Sequence, residues 1–129
     1  YNVALLPGDG IGPEVVEATC QVIDAVSSQL EDFSISYEFL SVGAGEYLAN
    51  GDPLPDATVE KLKTCDAILL GAMGIPEVRW PNGVEMTPQI DIREKLDLYQ
   101  GARPIKLYHP EHSPLHLTQD QSIDFVILL

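Results

Sequence analysis

The start of the chain constrains the fold more than any other segment, because glycines there join a strand pattern to a helix pattern. Residues 2–6 form a short apolar run, the stretch GDGIG follows, and residues 12–30 carry apolar side chains at helical spacing. Pro13 suits the first turn of a helix, and the acidic Glu14 favours its positive end. The segment therefore predicts a strand, a tight turn and a long helix.

One face of this predicted helix is apolar, and we expect that face to pack against a sheet. Its members recur at intervals of three or four residues: Val15, Thr19, Val22, Ile23, Val26 and Leu30.

Strand and helix patterns alternate through the rest of the chain. The predicted strands are 34–40, 66–70, a segment starting near Ala102 and 123–129, and the predicted helices are 43–49, 55–64 and 89–99. Residues 71–88 and 109–121 have the composition of loops. In the helix over 89–99, Ile92, Leu96 and Tyr99 are expected to face inward. This alternation predicts the α/β class, with a layered architecture and parallel strands.

The charge balance excludes whole classes of partner. Twenty acidic residues against seven lysines and arginines give a net charge of -13 at pH 7, which disfavours nucleic acid and anionic membranes. Five of the seven cations lie within residues 79–106. That stretch could hold an anion, although on charge alone pairing with neighbouring acids is the better explanation. No segment resembles a membrane span or a signal peptide, and two distant cysteines predict no disulfide framework. We expect a cytoplasmic protein.

The glycine stretch and the histidines have structural interpretations. Gly8, Gly10 and Gly12 lack the GxGxxG spacing of a dinucleotide fingerprint, so a tight strand-to-helix turn is the simpler interpretation. Asp9 within it is expected to be a turn or helix-end partner rather than a catalytic acid. Three histidines lie in a proline-containing loop without a helical frame, which favours a solvated loop over a zinc site; they are His109, His112 and His116.

Four longer motifs, LLPGDGIGPEVV, GDPLP, DAILLGAMGIP and DIREKLDLYQGARPIK, occur in one order along the chain. This ordered set resembles the isocitrate and isopropylmalate dehydrogenase family and is far more specific than any single motif. The resemblance implies an isopropylmalate dehydrogenase-like layered α/β fold that is incomplete in this chain. It implies that residues 1–100 belong to a larger α/β domain and residues 101–129 begin a smaller substrate and dimerisation domain. The complete protein is expected to be a homodimer.

The resemblance also implies a reaction, the NAD-dependent oxidation and decarboxylation of a small 2-hydroxy acid. The leading expectation is activity of the 3-isopropylmalate type; tartrate, D-malate and isocitrate remain alternative substrates, and a non-catalytic regulatory subunit or inactive fragment is the competing class. NAD is expected in preference to NADP. The catalytic Tyr and Lys and the aspartates that bind Mg or Mn are expected outside these residues. The chain alone is therefore expected to be inactive.

The family's substrate arginines match Arg93 and Arg103. A planar guanidinium bonds a carboxylate in a bidentate manner and stays charged, which suits a multiply charged acid. Without the resemblance, an ion pair between Arg93 and Asp97 and a surface salt bridge at Arg103 would be the simpler interpretations. Isopropylmalate enzymes usually present a Glu and two leucines to the branched alkyl group, and this chain has Met86, Gln89 and Ile90 at those places. A buried glutamine wants a hydrogen-bonding partner, which keeps a more polar substrate open.

The cofactor region implied by the resemblance is the loop that follows the strand at 66–70. Small residues there let a dinucleotide approach the backbone, and the usual Gly-Gly-Pro is replaced by Gly-Ile-Pro. A flexible connector is the alternative interpretation. The predicted contact residues are Ile11, Gly71, Gly74, Ile75, Pro76 and Glu77.

Overall fold

The computed structural model describes residues 1–116 and 122–129, and its strands and helices follow one another in the predicted order. The strands are β1 (Asn2–Leu6), β2 (Ser36–Phe39), β3 (Ala67–Leu70), β4 (Ala102–Lys106) and β5 (Asp124–Leu128). The helices are α1 (Gly12–Ser27), α2 (Ala44–Asn50), α3 (Asp56–Leu62) and α4 (Pro88–Lys95), with a 3-10 turn at Pro110–His112. The end of the predicted loop, residues 117–121, lies outside the described residues. The chain divides into two units, 1–96 and 97–129.

The first unit is built on a parallel sheet with the strand order β2-β1-β3. Val3 of β1 is opposite Tyr37 on one side and Ala67 on the other, so β1 is the central strand. Parallel strands need crossover connections, and the helices α1 to α3 lie in those connections. The predicted α/β class is therefore confirmed.

The two faces of β1 pack against different helices, because successive side chains of a strand point to opposite faces. Ala4 and Leu6, both fully buried, join the hydrophobic core with Val59 of α3 and Ile92 of α4. Leu5 points the other way and lines an apolar groove together with Val16 of α1. Helices thus occupy both sides of the sheet, as in a layered α/β fold.

The predicted buried stripe of α1 is largely wrong. The helix ends at Ser27, and its buried residues are Gly12 and Val16. Between α1 and the strands β1 and β2 the structure leaves an apolar groove of about 340 Å³, and no element of the described residues covers the rest of the helix. The exposed members of the predicted stripe are Val15, Val22, Val26 and Leu30, while Thr19 and Ile23 are half-buried.

Helix α4 is shorter than predicted, with consequences for Tyr99. Asp97 has a φ of 53°, a left-handed conformation that a helix cannot continue through. Ile92 is buried and Leu96 half-buried, as expected, but Tyr99 lies past the helix and is 88% exposed. Its predicted inward orientation is wrong.

The second unit contains an antiparallel pair, β4 with β5. Pro104 lies opposite Val126, and because this sheet has two strands, the proline has an edge on one side, as a residue without an N–H requires. Every residue of both strands is exposed. None of the helices in residues 1–116 and 122–129 is long and apolar enough to cross a membrane.

Candidate functional site

The candidate site is at the carboxyl end of the parallel sheet. The turn at 8–12 follows β1, and the loop at 71–77 follows β3, its neighbour in the sheet. In open parallel sheets, ligands bind outside this edge. The two segments meet through the backbone, since the N–H of Asp9 donates to the carbonyl of Ala72 at 2.8 Å.

Glycines permit this close backbone contact. A Cβ on Gly8 would lie 2.1 Å from the carbonyl oxygen of Ala72, and one on Gly71 would lie 2.2 Å from the carbonyl oxygen of Pro7. Gly12 is equally confined, at 2.0 Å from the same Pro7 oxygen. The glycine turn therefore does more than reverse the chain: it allows two loops of distant sequence to pack without side chains between them.

Asp9 ties three segments together from within this contact. It is buried, with 7% exposure, and its carboxylate accepts hydrogen bonds from the N–H groups of Ala44 and Gly45, both at 2.8 Å, and of Gly74 at 2.9 Å. The first two donors belong to the start of α2, so Asp9 satisfies a helix end from a distant segment. The interpretation of Asp9 as a turn and helix-end partner is confirmed, while its bond to the loop at 71–77 was not predicted.

The predicted cofactor residues lie around this contact, all within the first unit. Ile11 is 56% exposed on the turn. In the loop, Pro76 and Glu77 are exposed, whereas Gly71, Gly74 and Ile75 are half-buried. Gly10 has open space around it and a φ of +57°, so the turn presents bare backbone to solvent. Cofactor binding at these residues stays a prediction.

The predicted specificity residues lie at the start of α4 and differ in exposure. Met86, just before the helix, is buried at 3% exposure, Ile90 is 46% exposed, and Gln89 is half-buried. The side-chain oxygen Oε1 of Gln89 is fully buried and has no hydrogen-bond partner among the described residues. A buried acceptor without a donor is costly.

The two candidate arginines belong to different units. Arg93 is exposed on α4 of the first unit, and Arg103 is exposed on β4 of the second. Within residues 1–116 and 122–129 neither guanidinium forms an ion pair, so the alternative of an Arg93–Asp97 pair is wrong. The alternative of an Arg103 salt bridge finds no partner among these residues. Whether both bind one substrate stays a prediction.

The lysines behave differently from the arginines. All four form ion pairs: Lys61 with Glu38, Lys63 with Glu60, Lys95 with Asp56, and Lys106 with Asp124. In the described part of the chain, the three arginines form none, Arg79 included. Local pairing thus occupies the lysines and leaves the groups best suited to a carboxylate available.

Hydrogen bonding and burial shift several pKa values away from the site. The hydrogen bond from Lys95 lowers the pKa of Asp56, and the same contact raises the pKa of Lys95. Burial and, after it, the hydrogen bond to Asp24 raise the pKa of Tyr37 from 10.0 to about 12. Burial also raises the pKa of the Cys20 thiol, and the nearby Asp24 charge adds to the effect.

Further electrostatic pairs and potential ligands lie elsewhere in the chain. A hydrogen bond to Glu38 raises the pKa of Lys61. Cys20 and Cys65 are free thiols. Among the described residues, no group of three or more His, Cys, Asp and Glu side chains is arranged to hold a metal ion.

Comparison with known proteins places this geometry in context. The family model described as isocitrate/isopropylmalate dehydrogenase matches residues 2–128. The 3-isopropylmalate dehydrogenase of Bacillus subtilis (strain 168) is 39% identical over 133 residues, which cover 98% of this chain and 36% of that protein. The enzyme of the same name from Mycobacterium sp. (strain KMS) is 44% identical over 128 residues, covering 98% and 35%. The chain thus spans about a third of the length of these curated relatives.

Solved structures support the fold. An isocitrate dehydrogenase from Methylococcus capsulatus superposes with a TM-score of 0.78 at 24% identity, over 99% of this chain and 34% of that one. A protein from Thermus thermophilus superposes with a TM-score of 0.76 at 26% identity, over 98% of this chain and 23% of that one. The isopropylmalate dehydrogenase-like layered fold is therefore confirmed.

Proposed function

Because the chain belongs to the isocitrate/isopropylmalate dehydrogenase family, we propose that it is part of an NAD-dependent enzyme that oxidises and decarboxylates a 2-hydroxy acid. Relatives named 3-isopropylmalate dehydrogenase favour 3-isopropylmalate as the first candidate substrate. The chain covers 36% and 35% of the two relatives' lengths, so the activity belongs to a longer protein. We further propose that this protein is a cytoplasmic homodimer with no nucleic-acid or membrane partner.

The observation that carries the proposal is the state of Arg93 and Arg103. Each guanidinium is exposed and without an ion pair in the described residues, in a chain whose lysines are all paired. In the proposed enzyme each arginine binds a carboxylate of the substrate through two parallel hydrogen bonds. Two such contacts would hold the acid in one orientation during the reaction.

The cofactor is proposed to bind against the glycine turn and the loop at 71–77. When bound, NAD accepts the hydride that leaves the alcohol carbon. The chain's own contribution is shape: Ile11 offers an apolar surface on the turn, and Pro76 and Glu77 are exposed on the loop. Mg or Mn is proposed to bind through residues outside this chain. Among the described residues no group of three or more possible ligands is arranged to hold a metal ion.

A second substrate class is favoured by one observation. Isopropylmalate carries a branched alkyl group, yet the buried Oε1 of Gln89 has no donor among the described residues. A substrate hydroxyl at that place, or a water molecule held beside a more polar substrate, would satisfy it. D-malate, tartrate and isocitrate are therefore the alternative substrates, and each would use the same two arginines.

The test is NADH formation by the complete protein that contains this chain, with NAD and either Mg²⁺ or Mn²⁺. Four acids are compared: 3-isopropylmalate, D-malate, tartrate and isocitrate. We expect NADH and carbon dioxide in equal amounts from at least one of them, and little activity with NADP. If none of the four yields NADH, the proposal is wrong and a non-catalytic role for this family member is favoured.

A further inference from the structure

We infer that Asp9 is a positioning residue that holds the loop at 71–77 in the conformation that binds the nicotinamide dinucleotide. The inference rests on the proposed function, since it assumes that this loop contacts the cofactor. It assigns a role in cofactor affinity to a buried carboxylate that does not touch the substrate.

The hydrogen bonds of the loop carry the inference. At its start, the N–H of Gly71 donates to the carbonyl of Leu6, and at its end the N–H of Val78 donates to Ile75. Between these points, among the described residues, Gly74 is the one residue whose N–H has a partner, and that partner is Asp9 at 2.9 Å. The middle of the loop is therefore anchored to the rest of the unit through Asp9.

The position of the anchor is itself fixed. Asp9 also accepts from Ala44 and Gly45, so its two carboxylate oxygens are held by the start of α2. A Cβ on Gly43 would lie 2.4 Å from the Asp9 carboxylate, so the backbone packs directly against it. Bonds to an ionised acceptor are stronger than neutral ones. The Asp9 carboxylate, itself held by the start of α2, thus fixes where the loop at 71–77 lies relative to β1 and α2.

The conformation of Gly74 agrees with this role. Its φ is +115°, a backbone conformation that residues other than glycine rarely adopt. In this conformation its N–H donates to the Asp9 carboxylate. Because the Gly74 N–H is engaged, it is unavailable to a ligand. Its contribution to cofactor binding is the shape that it gives the loop, so that Ile75, Pro76 and Glu77 are presented in one arrangement.

The test compares Asp9→Asn with Asp66→Asn in the complete protein. Asn keeps the shape of the side chain and removes its charge and one acceptor. Asp66 is a matched control, because its Oδ2 accepts a backbone N–H, that of Asn2, at 2.8 Å at the opposite end of β1. Steady-state kinetics give the KM for NAD, the KM for the acid and kcat of each variant. Fluorescence titration gives the Kd for NADH.

For Asp9→Asn we expect the KM for NAD and the Kd for NADH to rise about tenfold, the loss typical of one charge-assisted hydrogen bond. The KM for the acid should stay within about twofold, and Asp66→Asn should match the wild type in every quantity. A purely structural role would lower the yield of active enzyme, and hence kcat, without changing cofactor affinity. That pattern, or unchanged NADH binding, would overturn the inference.

Two further measurements keep the test decisive. If Asp9→Asn does not fold, Gly74→Ala strains the φ of the loop residue alone and leaves the bonds to Ala44 and Gly45 in place. It should weaken NADH binding in the same way, and wild-type affinity in that variant would overturn the inference. If the wild type binds NADH but oxidises none of the acids, the proposed reaction fails while the titration still decides the role of Asp9. A wild type that binds no NADH overturns both.

Discussion

Strand β1 of the first unit and strand β5 of the second have similarly apolar sequences but are buried very differently. In the first unit, Ala4 and Leu6 of β1 are fully buried beneath helices α3 and α4. In the second, every residue of β4 and β5 is exposed, including Ile127 at 39% and Phe125 at 49%. Apolar, β-branched sequence therefore predicts a strand in both cases, but a core forms only where other elements cover the strand.

The difference has a physical consequence for each unit. Burial of apolar surface is the main favourable term in folding, so the first unit has a source of stability of its own. The second unit relies on the hydrogen bonds between two strands, such as the two that join Gly101 to Leu129, and a two-stranded sheet alone is marginally stable in water.

The largest expected effect separates the units directly. Leu6→Ala removes the side chain at the centre of the first core, and we expect the free energy of unfolding to fall by about 2–5 kcal/mol. Ile127→Ala removes an apolar side chain of similar size from the second unit, and there we expect a loss below about 1 kcal/mol. Urea unfolding is followed by far-UV circular dichroism, which detects both units, and by the fluorescence of Trp80, the single tryptophan of the chain, which detects the first unit.

In this comparison Ile127→Ala is the control, since both variants delete apolar atoms from a strand. A midpoint shift for Ile127→Ala as large as that for Leu6→Ala would contradict the difference in burial. Equal and small shifts would mean that the core around β1 contributes little.

A smaller effect concerns one tyrosine in each unit. Tyr37 of β2 donates to Asp24 at 2.9 Å and has a pKa raised to about 12, whereas Tyr108 is 83% exposed. Because the folded-state pKa of Tyr37 is raised, its contribution to stability is present below its ordinary value of 10.0 and is lost as the pH rises towards 12.

The check is a spectrophotometric titration of tyrosinate in the wild type, in Tyr37→Phe and in Tyr108→Phe. Subtracting the Tyr37→Phe curve from the wild type should give a step with its midpoint near 12. Tyr108→Phe should retain this step. A difference curve with its midpoint at the ordinary value of 10.0 would show that Tyr37 is neither desolvated nor hydrogen bonded to Asp24.

Local patterns predicted the element order because they depend on neighbouring residues. Residues 2–6 form β1 with the predicted bounds, and Pro13 lies in the first turn of α1, as expected. Burial was predicted less well, because periodicity shows which face could pack but not whether a layer covers it. The exposed Val22 of α1 is the plainest case.

At the candidate site, contacts between segments distant in sequence could not be predicted from local patterns. The glycines were interpreted as a local turn, yet their strictest requirement is the contact with Ala72 in a distant loop. The Asp9–Gly74 hydrogen bond, which spans 65 residues, has no signal in either segment alone. The expectation that Arg93 and Arg103 bind substrate comes from the family resemblance. The structure adds that neither forms an ion pair with another described residue.

The most direct test of the account measures the KM for the acid in Arg93→Lys and Arg103→Lys, one from each unit, with Arg79→Lys as control in the complete protein. Lysine keeps the charge and loses the bidentate fork. We predict that each of the first two variants raises the KM for the acid by about tenfold or more, with the KM for NAD unchanged, and that Arg79→Lys resembles the wild type. A wild-type KM for the acid in either Arg93→Lys or Arg103→Lys would contradict the account.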